Sequence, residues 1–291
     1  MKKNGRRKPA FWLLAAFFAL FVLFLYGPTI TIVILSFQGP SGGLTFPMRG
    51  VSVHWFGNLF EKQMVGDFAG SFERSMILGF VTMIVTVLVS FSAGLAFRKR
   101  FTGSTLVFYL AIASLIVPSI LISLGIGLLY RVLGLDAAWY SSAFGAHLTW
   151  TLPFGLLIMF AVFNRFDRRY EEAARDLGAT SWQTVRHVIV PILLPSLIGV
   201  GLFGFTLSYD EFARSLYTSG TFNTLPLEIY GMTTNVTTPV LYALGTVTTG
   251  VSFLVIALAL VSTVILRRRR ARRSAGWSLS LSGPRARAAA C

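Results

Sequence analysis

The chain has 291 residues, 54% of them apolar and 26 of them Phe, which excludes an ordinary soluble domain of this size. Its formal net charge is +15, but the Lys and Arg residues stand in short clusters beside apolar spans. Such clusters mark membrane topology rather than a nucleic-acid-binding face. The one cysteine, Cys291, has no partner, which excludes a disulfide framework and a Cys-based metal site.

In chain order, residues 1–10 form a basic N-terminus with Lys2, Lys3, Arg6, Arg7 and Lys8. The apolar span from Phe11 to about Ser36 is longer than a signal-peptide core and no small-residue cleavage site closes it, so a first transmembrane helix is expected. Residues 37–74 form a Gly-, Pro- and Ser-rich loop in which Val53 to Phe56 with Leu59 and Phe60 suit an interfacial piece. Five further spans follow, Ser75–Phe97, Thr105–Tyr130, Gly145–Phe163, Val190–Tyr209 and Val240–Leu266, each near the ~20 residues that cross a bilayer. Pro118 and Pro153 fall inside the third and fourth, where they kink a packed membrane helix and either shape a pathway or adjust packing.

The fold class expected is therefore an all-α membrane protein of six transmembrane helices within residues 11–273, followed by a disordered tail over 274–291. Most of the 26 basic residues fall at the N-terminus, at Arg98 to Arg100, between Arg165 and Arg186, and from Arg267 onward. Those regions are assigned to the cytoplasm, which puts both termini inside and loops 37–74, 131–144 and 210–239 outside. The Arg267–Arg273 run reads as a stop-transfer cluster, with an anionic-lipid or nucleic-acid site as the alternative.

The most informative segment is the charged loop 167–190 between spans four and five. Glu171, Glu172, Ala173, Ala174 and Arg175 favour a short helix that ends at Gly178. Thr180 and Gln183 then fit a capping box, starting a second helix that Pro191 and Pro195 are expected to interrupt. Glu171 and Glu172 offer carboxylates to a basic partner, or else lie on a solvated face paired with Arg168, Arg169 or Arg175. At the outer end of span five, Tyr209, Asp210, Glu211 and Phe212 suggest a pathway or gate, because carboxylates at a membrane rim are costly. Asp210 and Arg214 at i,i+4 could instead neutralise one another.

Glu172-Ala173-Ala174, three residues, Gly178, nine residues and Val188-Ile189-Val190-Pro191 resemble the coupling loop of the permease subunits of bacterial ABC importers. Val188 and Val190 replace the usual Ile and Leu and keep the apolar character. The stretch Ser208 to Arg214, with Thr224-Leu225-Pro226-Leu227-Glu228-Ile229-Tyr230, resembles permeases of the spermidine/putrescine type over roughly the C-terminal half. The resemblance implies a type I importer permease in the bacterial inner membrane, in contact with membrane lipid and paired with a second, homologous or identical permease. It also implies an ATP-binding subunit dimer, an external or periplasmic solute-binding protein, and coupling through Glu171, Glu172, Ala173, Ala174, Gly178, Thr180 and Pro191. A polyamine or similar organic cation is the implied solute. Iron, a small organic acid, or a stand-alone channel or carrier are the alternatives.

The chain contains no Gly-Lys pair and hence no phosphate-binding loop, so ATP-Mg belongs to a partner and no cofactor is expected here. His54, His147 and His187 have no metal-ligand spacing. No catalytic residue, metal site or nucleic-acid partner is assigned.

Overall fold

The computed structural model describes residues 9–60, 66–99, 101–235 and 239–281; for Phe60, Asn235 and 266–281 it describes the backbone only. The basic residues 1–8, Arg100, the side chains of Arg267–Arg273 and the end of the tail from 282 lie outside that description. The elements are helices: α1 (Pro9–Leu35), α2 (His54–Gly57), α3 (Phe68–Phe97), α4 (Ser104–Ala113), α5 (Ser119–Val132), α6 (Phe144–Asn164), α7 (Arg169–Asp176), α8 (Ser181–Thr184), α9 (Val190–Tyr209), α10 (Leu225–Asn235) and α11 (Val240–Leu281). Among the described residues only isolated β-bridges occur. The chain divides into two compact units, one drawn from 1–69 and 228–251, the other from 70–227 and 252–291.

In the first unit α1 exposes Phe, Leu and Trp nearly all round, as a helix in lipid does. The loop after it closes on Gln38, which is fully buried: its amide donates to Gly43 O (2.9 Å) and accepts from Arg49 N–H (3.0 Å). Tyr242 of α11 donates to Leu44 O, and Glu228 of α10 accepts from Asp67 N–H. Within the stretch expected to be interfacial, His54–Gly57 form the one-turn helix α2.

The second unit is built on α3, α6 and α9. Met159 and Phe163 of α6 pack on Leu193, Leu197 and Val200 of α9, with Val87, Phe91 and Leu95 of α3 against them. Further along, small and hydroxylic residues let the backbones approach, as in membrane helix pairs generally. A Cβ at Gly155 would sit 2.3 Å from Ser90 Oγ, and Thr86 Oγ1 bonds Thr151 Oγ1 at 2.8 Å.

Among the described residues, five helical segments are long and apolar enough to span a membrane: Pro9–Leu35, Phe68–Phe97, Trp139–Asn164, Ser181–Tyr209 and Val240–Ile265. The expected third span is instead two shorter helices, α4 and α5, broken over 114–118. Pro118 is the cause: it lacks an N–H, and it biases Val117 away from the helical region. Pro153 differs, since α6 runs through it. A proline there strands the carbonyl four residues back, Thr149 O, and Ser114 Oγ, in the break, donates to it at 3.0 Å while sharing its proton with Ala111 O (2.8 Å). One more expectation is corrected: Pro191 and Pro195 do not interrupt span five. The backbone of α11 is helical to Leu281.

Ser114→Ala is expected to cost about 1–2 kcal/mol by leaving Thr149 O without a donor. The loss should shrink in a Pro153→Ala background, where residue 153 regains its N–H. Thermal unfolding in detergent of the wild type, both single variants and the double variant closes this cycle; full additivity would show that Ser114 does not serve that carbonyl.

Candidate functional site

Helix α7 opens with Asp167 Oδ1 accepting Arg169 N–H (3.0 Å), carries Glu171 and Glu172 in its positive first turn, and has Arg175 in its last. Gly178 follows at φ +83°, with Gly178 N–H on Arg175 O (2.8 Å) and Ala179 N–H on Ala174 O (3.0 Å). These two bonds form a Schellman turn, which requires a left-handed residue at the position Gly178 holds. Thr180 then closes the expected capping box: Gln183 N–H donates to its Oγ1 (3.3 Å) and Thr180 N–H to Gln183 Oε1 (2.8 Å).

From Ser181 the backbone is helical without a stop to Tyr209, 29 residues. Over Val185–Ile189 the ladder widens by one residue, so that Val190 N–H reaches Val185 O. The register shift lies immediately before Pro191, which has no N–H to give. The expected second short helix is thus the inner end of span five itself.

The two glutamates of the loop separate. Glu171 points inward and forms an ion pair with Arg98, both side chains only 14% exposed. The Arg98 guanidinium also lies over the rings of Phe163 (5.3 Å) and Phe166 (5.5 Å). The alternative pairing of Glu171 with Arg168, Arg169 or Arg175 is not made. Glu172 and Ala173 face out, together with Leu177, which is 89% exposed, and Trp182, 69% exposed. Glu172 has no side-chain partner among the described residues. Ala174 is half-buried, Thr180 is committed to the cap, and Pro191 is half-buried at the start of α9. Behind the loop a cleft of about 520 Å³ is lined by Arg98, Lys99, Arg168, Glu171, Glu172 and Thr184, among others.

At the other end of α9 the four gate candidates also divide. Tyr209 is buried, stacked on Phe205 (5.6 Å, 12°) and edge-on to Phe72 (6.4 Å). Asp210 is exposed with no side-chain partner among the described residues, and desolvation raises its carboxyl above the ordinary carboxylate range. Glu211 is half-buried: its Oε1 accepts Arg214 N–H (3.0 Å) and its Oε2 lies 3.9 Å from Arg214 Nη1. Phe212 is half-buried beside it. The neutralising partner of Arg214 is therefore Glu211, not Asp210.

Arg214 has no exposed surface. Its Nε donates to Thr149 Oγ1 (3.2 Å), its Nη1 to Ser119 Oγ (2.7 Å), and its guanidinium sits 4.5 Å from the Trp150 ring centre. Burial pulls its pKa down and the Glu211 carboxylate pushes it back up, and an arginine remains charged under such opposing effects. Nearby, His147 Nδ1 is 2.8 Å from Ser208 Oγ and its Nε2 2.9 Å from Ser215 Oγ. Ser123 Oγ donates to Arg214 O (3.0 Å) and Ser142 Oγ to Thr218 O (2.6 Å). Segment 210–219 is thereby stitched to α5, α6 and α9. Sequence reasoning passed over Arg98, His147, Leu177 and Trp182. Arg98 sat in a cluster read only as topology, and His147 lacked any motif.

A Cβ at Gly178 would meet nothing within 4 Å, so its constraint is conformational rather than steric within this chain. Gly178→Val is expected to cost roughly 1–2 kcal/mol locally and Gly178→Asn much less, because Asn tolerates the left-handed region. Hydrogen exchange over 170–187 checks this: the Ala179 amide should lose protection in Val and keep it in Asn. Equal loss in both would point to a contact rather than to φ.

Residues 86–272 match the family described as binding-protein-dependent transport system inner membrane component. The spermidine/putrescine transport system permease protein PotC of Haemophilus influenzae is 30% identical over 89% of this chain and 98% of its own length. PotC of Escherichia coli K12 is 28% identical over 77% of this chain and 83% of its own, and the putrescine transport system permease PotI of the same strain is 29% identical over 78% and 82%. Among solved structures, a bacterial ABC transporter that imports the acidic polysaccharide alginate matches at TM-score 0.61 over 88% of this chain and 96% of its own, with 15% identity. The MetNI methionine ABC transporter matches at 0.53 over 68% and 94%, with 17% identity. These likenesses carry the fold alone. The family match and the relatives at similar length carry more: the chain belongs to the binding-protein-dependent transport system inner membrane components, as a multi-pass permease subunit of an ABC importer rather than an enzyme.

Proposed function

We propose that this permease, with a second homologous or identical permease, forms a translocation pathway driven by a separate ATPase dimer docked on residues 169–187, and that it imports a small organic cation of the polyamine class. An external solute-binding protein delivers the solute, ATP-Mg is held by the ATPase, and this chain holds no cofactor. The observation that carries the coupling is the exposed knob of Glu172, Ala173, Leu177 and Trp182, set at a fixed angle by Gly178 and continuous with α9. An apolar anchor beside a carboxylate suits a partner groove with a basic residue. A push on Ser181 reaches Tyr209 along one helix, with no loop between to absorb it. The basic clusters favour a cytoplasmic position for the knob and both termini.

The polyamine assignment rests on the relatives named above and on Asp210, which stands free at the outer end of α9. Because Glu211 is committed to Arg214 and Tyr209 is packed between two rings, Asp210 alone of the four carries an unneutralised charge outward. A cation gains from that charge. The alternative solutes divide on the same ground: iron would gain too, and a small organic acid would be repelled.

Cysteines at Ser181 and Thr221, in a chain lacking Cys291, should be labelled from the cytoplasmic and outer sides respectively. Co-assembly with the ATPase should shield Ser181→Cys, and Glu172→Lys should weaken that shielding about tenfold in ATPase concentration. Labelling of both from one side would end the topology, and an unshielded knob in an assembled transporter would end the docking.

The two acids should also behave differently. Asp210→Asn is expected to raise the KM of polyamine uptake several-fold at unchanged thermal stability, while Glu211→Gln should lower stability by about 1–3 kcal/mol through the uncompensated Arg214. Unchanged uptake kinetics in Asp210→Asn would remove Asp210 from the case for a cationic solute and leave it to the relatives alone.

A further inference from the structure

Helices α6 and α9 are joined to the knob by the chain itself, α6 through residues 165–168 and α9 directly. Helix α3, the third member of the same bundle, has no such covalent link. Its inner end reaches α7 through the residue that follows it, Arg98. We propose that Arg98 is the positioning residue that makes α3 move with the coupling loop, so that ATPase closure reaches three helices of the bundle rather than two. The proposal rests on the reading that the loop docks the ATPase.

The geometry is that of a clamp. The Arg98 guanidinium is held by Glu171 of α7, by the Phe163 ring in the last turn of α6 and by the Phe166 ring in the link between them. Its main-chain carbonyl accepts a long bond from Arg168 Nη2 (3.5 Å). With both ionic side chains 14% exposed, the pair is screened far less than a surface ion pair. Phe166 in turn lies against Tyr170 (6.3 Å), one residue before Glu171. A planar guanidinium can meet a carboxylate on its edge and rings on its faces at once, which an ammonium cannot.

Glu171 and Glu172 therefore have separate duties. Consecutive helical residues point about 100° apart, so when Glu172 faces the partner Glu171 is turned toward the bundle. A displacement applied at Glu172 is passed through the backbone of the same helical turn to Glu171 and from there to Arg98.

The test uses the complete transporter, with its ATPase and solute-binding protein, reconstituted in vesicles, and reads three quantities: ATPase co-purification, basal ATP hydrolysis, and polyamine taken up per ATP hydrolysed. Arg98→Gln should keep the first two and lower the third about tenfold, within the usual range of coupling between sites. Arg98→Lys should fall between it and the wild type. Glu171→Gln removes the same pair from the loop side and guards against a folding defect peculiar to Arg98→Gln. The exchange Arg98→Glu with Glu171→Arg should recover uptake per ATP above either single change. Wild-type uptake per ATP in both neutral variants would overturn the proposal. So would loss of ATPase co-purification in both, since Arg98 would then shape the docking surface rather than transmit from it. A wild-type chain that bound no ATPase would remove the docking reading itself, and the role of Arg98 with it.

Discussion

Hydrocarbon supplies no hydrogen bonds, so every backbone group that a proline strands inside a membrane bundle must find a partner in the protein. Three prolines meet this constraint in three ways. Pro118 ends the regular ladder, and its break brings Ser114 and Ser119 to where they bond Thr149 O and Arg214. Pro153 stays within α6 because Ser114 replaces the missing donor. Pro191 follows a turn of wider register, where Val190 N–H reaches back to Val185 O and His187 Nδ1 lies 3.2 Å from Gln183 O. The break at Pro118 thus creates the polar pocket that Arg214 fills, and the stitching of segment 210–219 depends on it.

Both ends of the α6–α9 pair hold an arginine in the same manner. Arg98 has a carboxylate and two phenylalanine rings, and Arg214 a carboxylate, two hydroxyls and a tryptophan ring. A buried cation is tolerable only when paired and hydrogen-bonded, and aromatic faces add attraction without bringing water. In each case the carboxylate is one of two adjacent acids, and its neighbour is left facing outward: Glu172 at one end, Asp210 at the other. The chain uses an acidic pair to tie down a strand of structure and present a charge from the same place.

The apolar spans, the Gly178 turn and the Thr180–Gln183 capping box were legible in the sequence, because an unbroken apolar run, a left-handed glycine and a short-range cap are all local. The duties of paired acids were not. Glu171 and Glu172 are equivalent as residue types, and their difference comes from Arg98, more than seventy positions earlier. Asp210 is at the helical spacing from Arg214 that suggests a pair, yet α9 ends at Tyr209, and in the turn beyond it Glu211 lies nearer. Proline posed the same difficulty. Residue identity gives the lost N–H but not whether a hydroxyl or a register shift replaces it, which is why Pro118 breaks a helix and Pro153 does not.

The continuity across Pro191 changes what the loop can do. Two helices meeting at a break would let a displacement of the knob dissipate as a change of angle. A single helix from Ser181 to Tyr209 rises about 1.5 Å per residue over its 29 residues, roughly 44 Å in all, and cannot bend at one point without losing bonds that lipid does not replace. The wider turn at Val185–Ile189 is the one place where its register differs, and Ile189 there is buried in the core with Phe163 and Met159. Packing thus supports the helix where its hydrogen bonding is irregular. On the proposed docking, force applied at the knob would reach the segment that carries Asp210 through the stiffness of that helix, and Arg98 would be needed only for the helix the chain does not join.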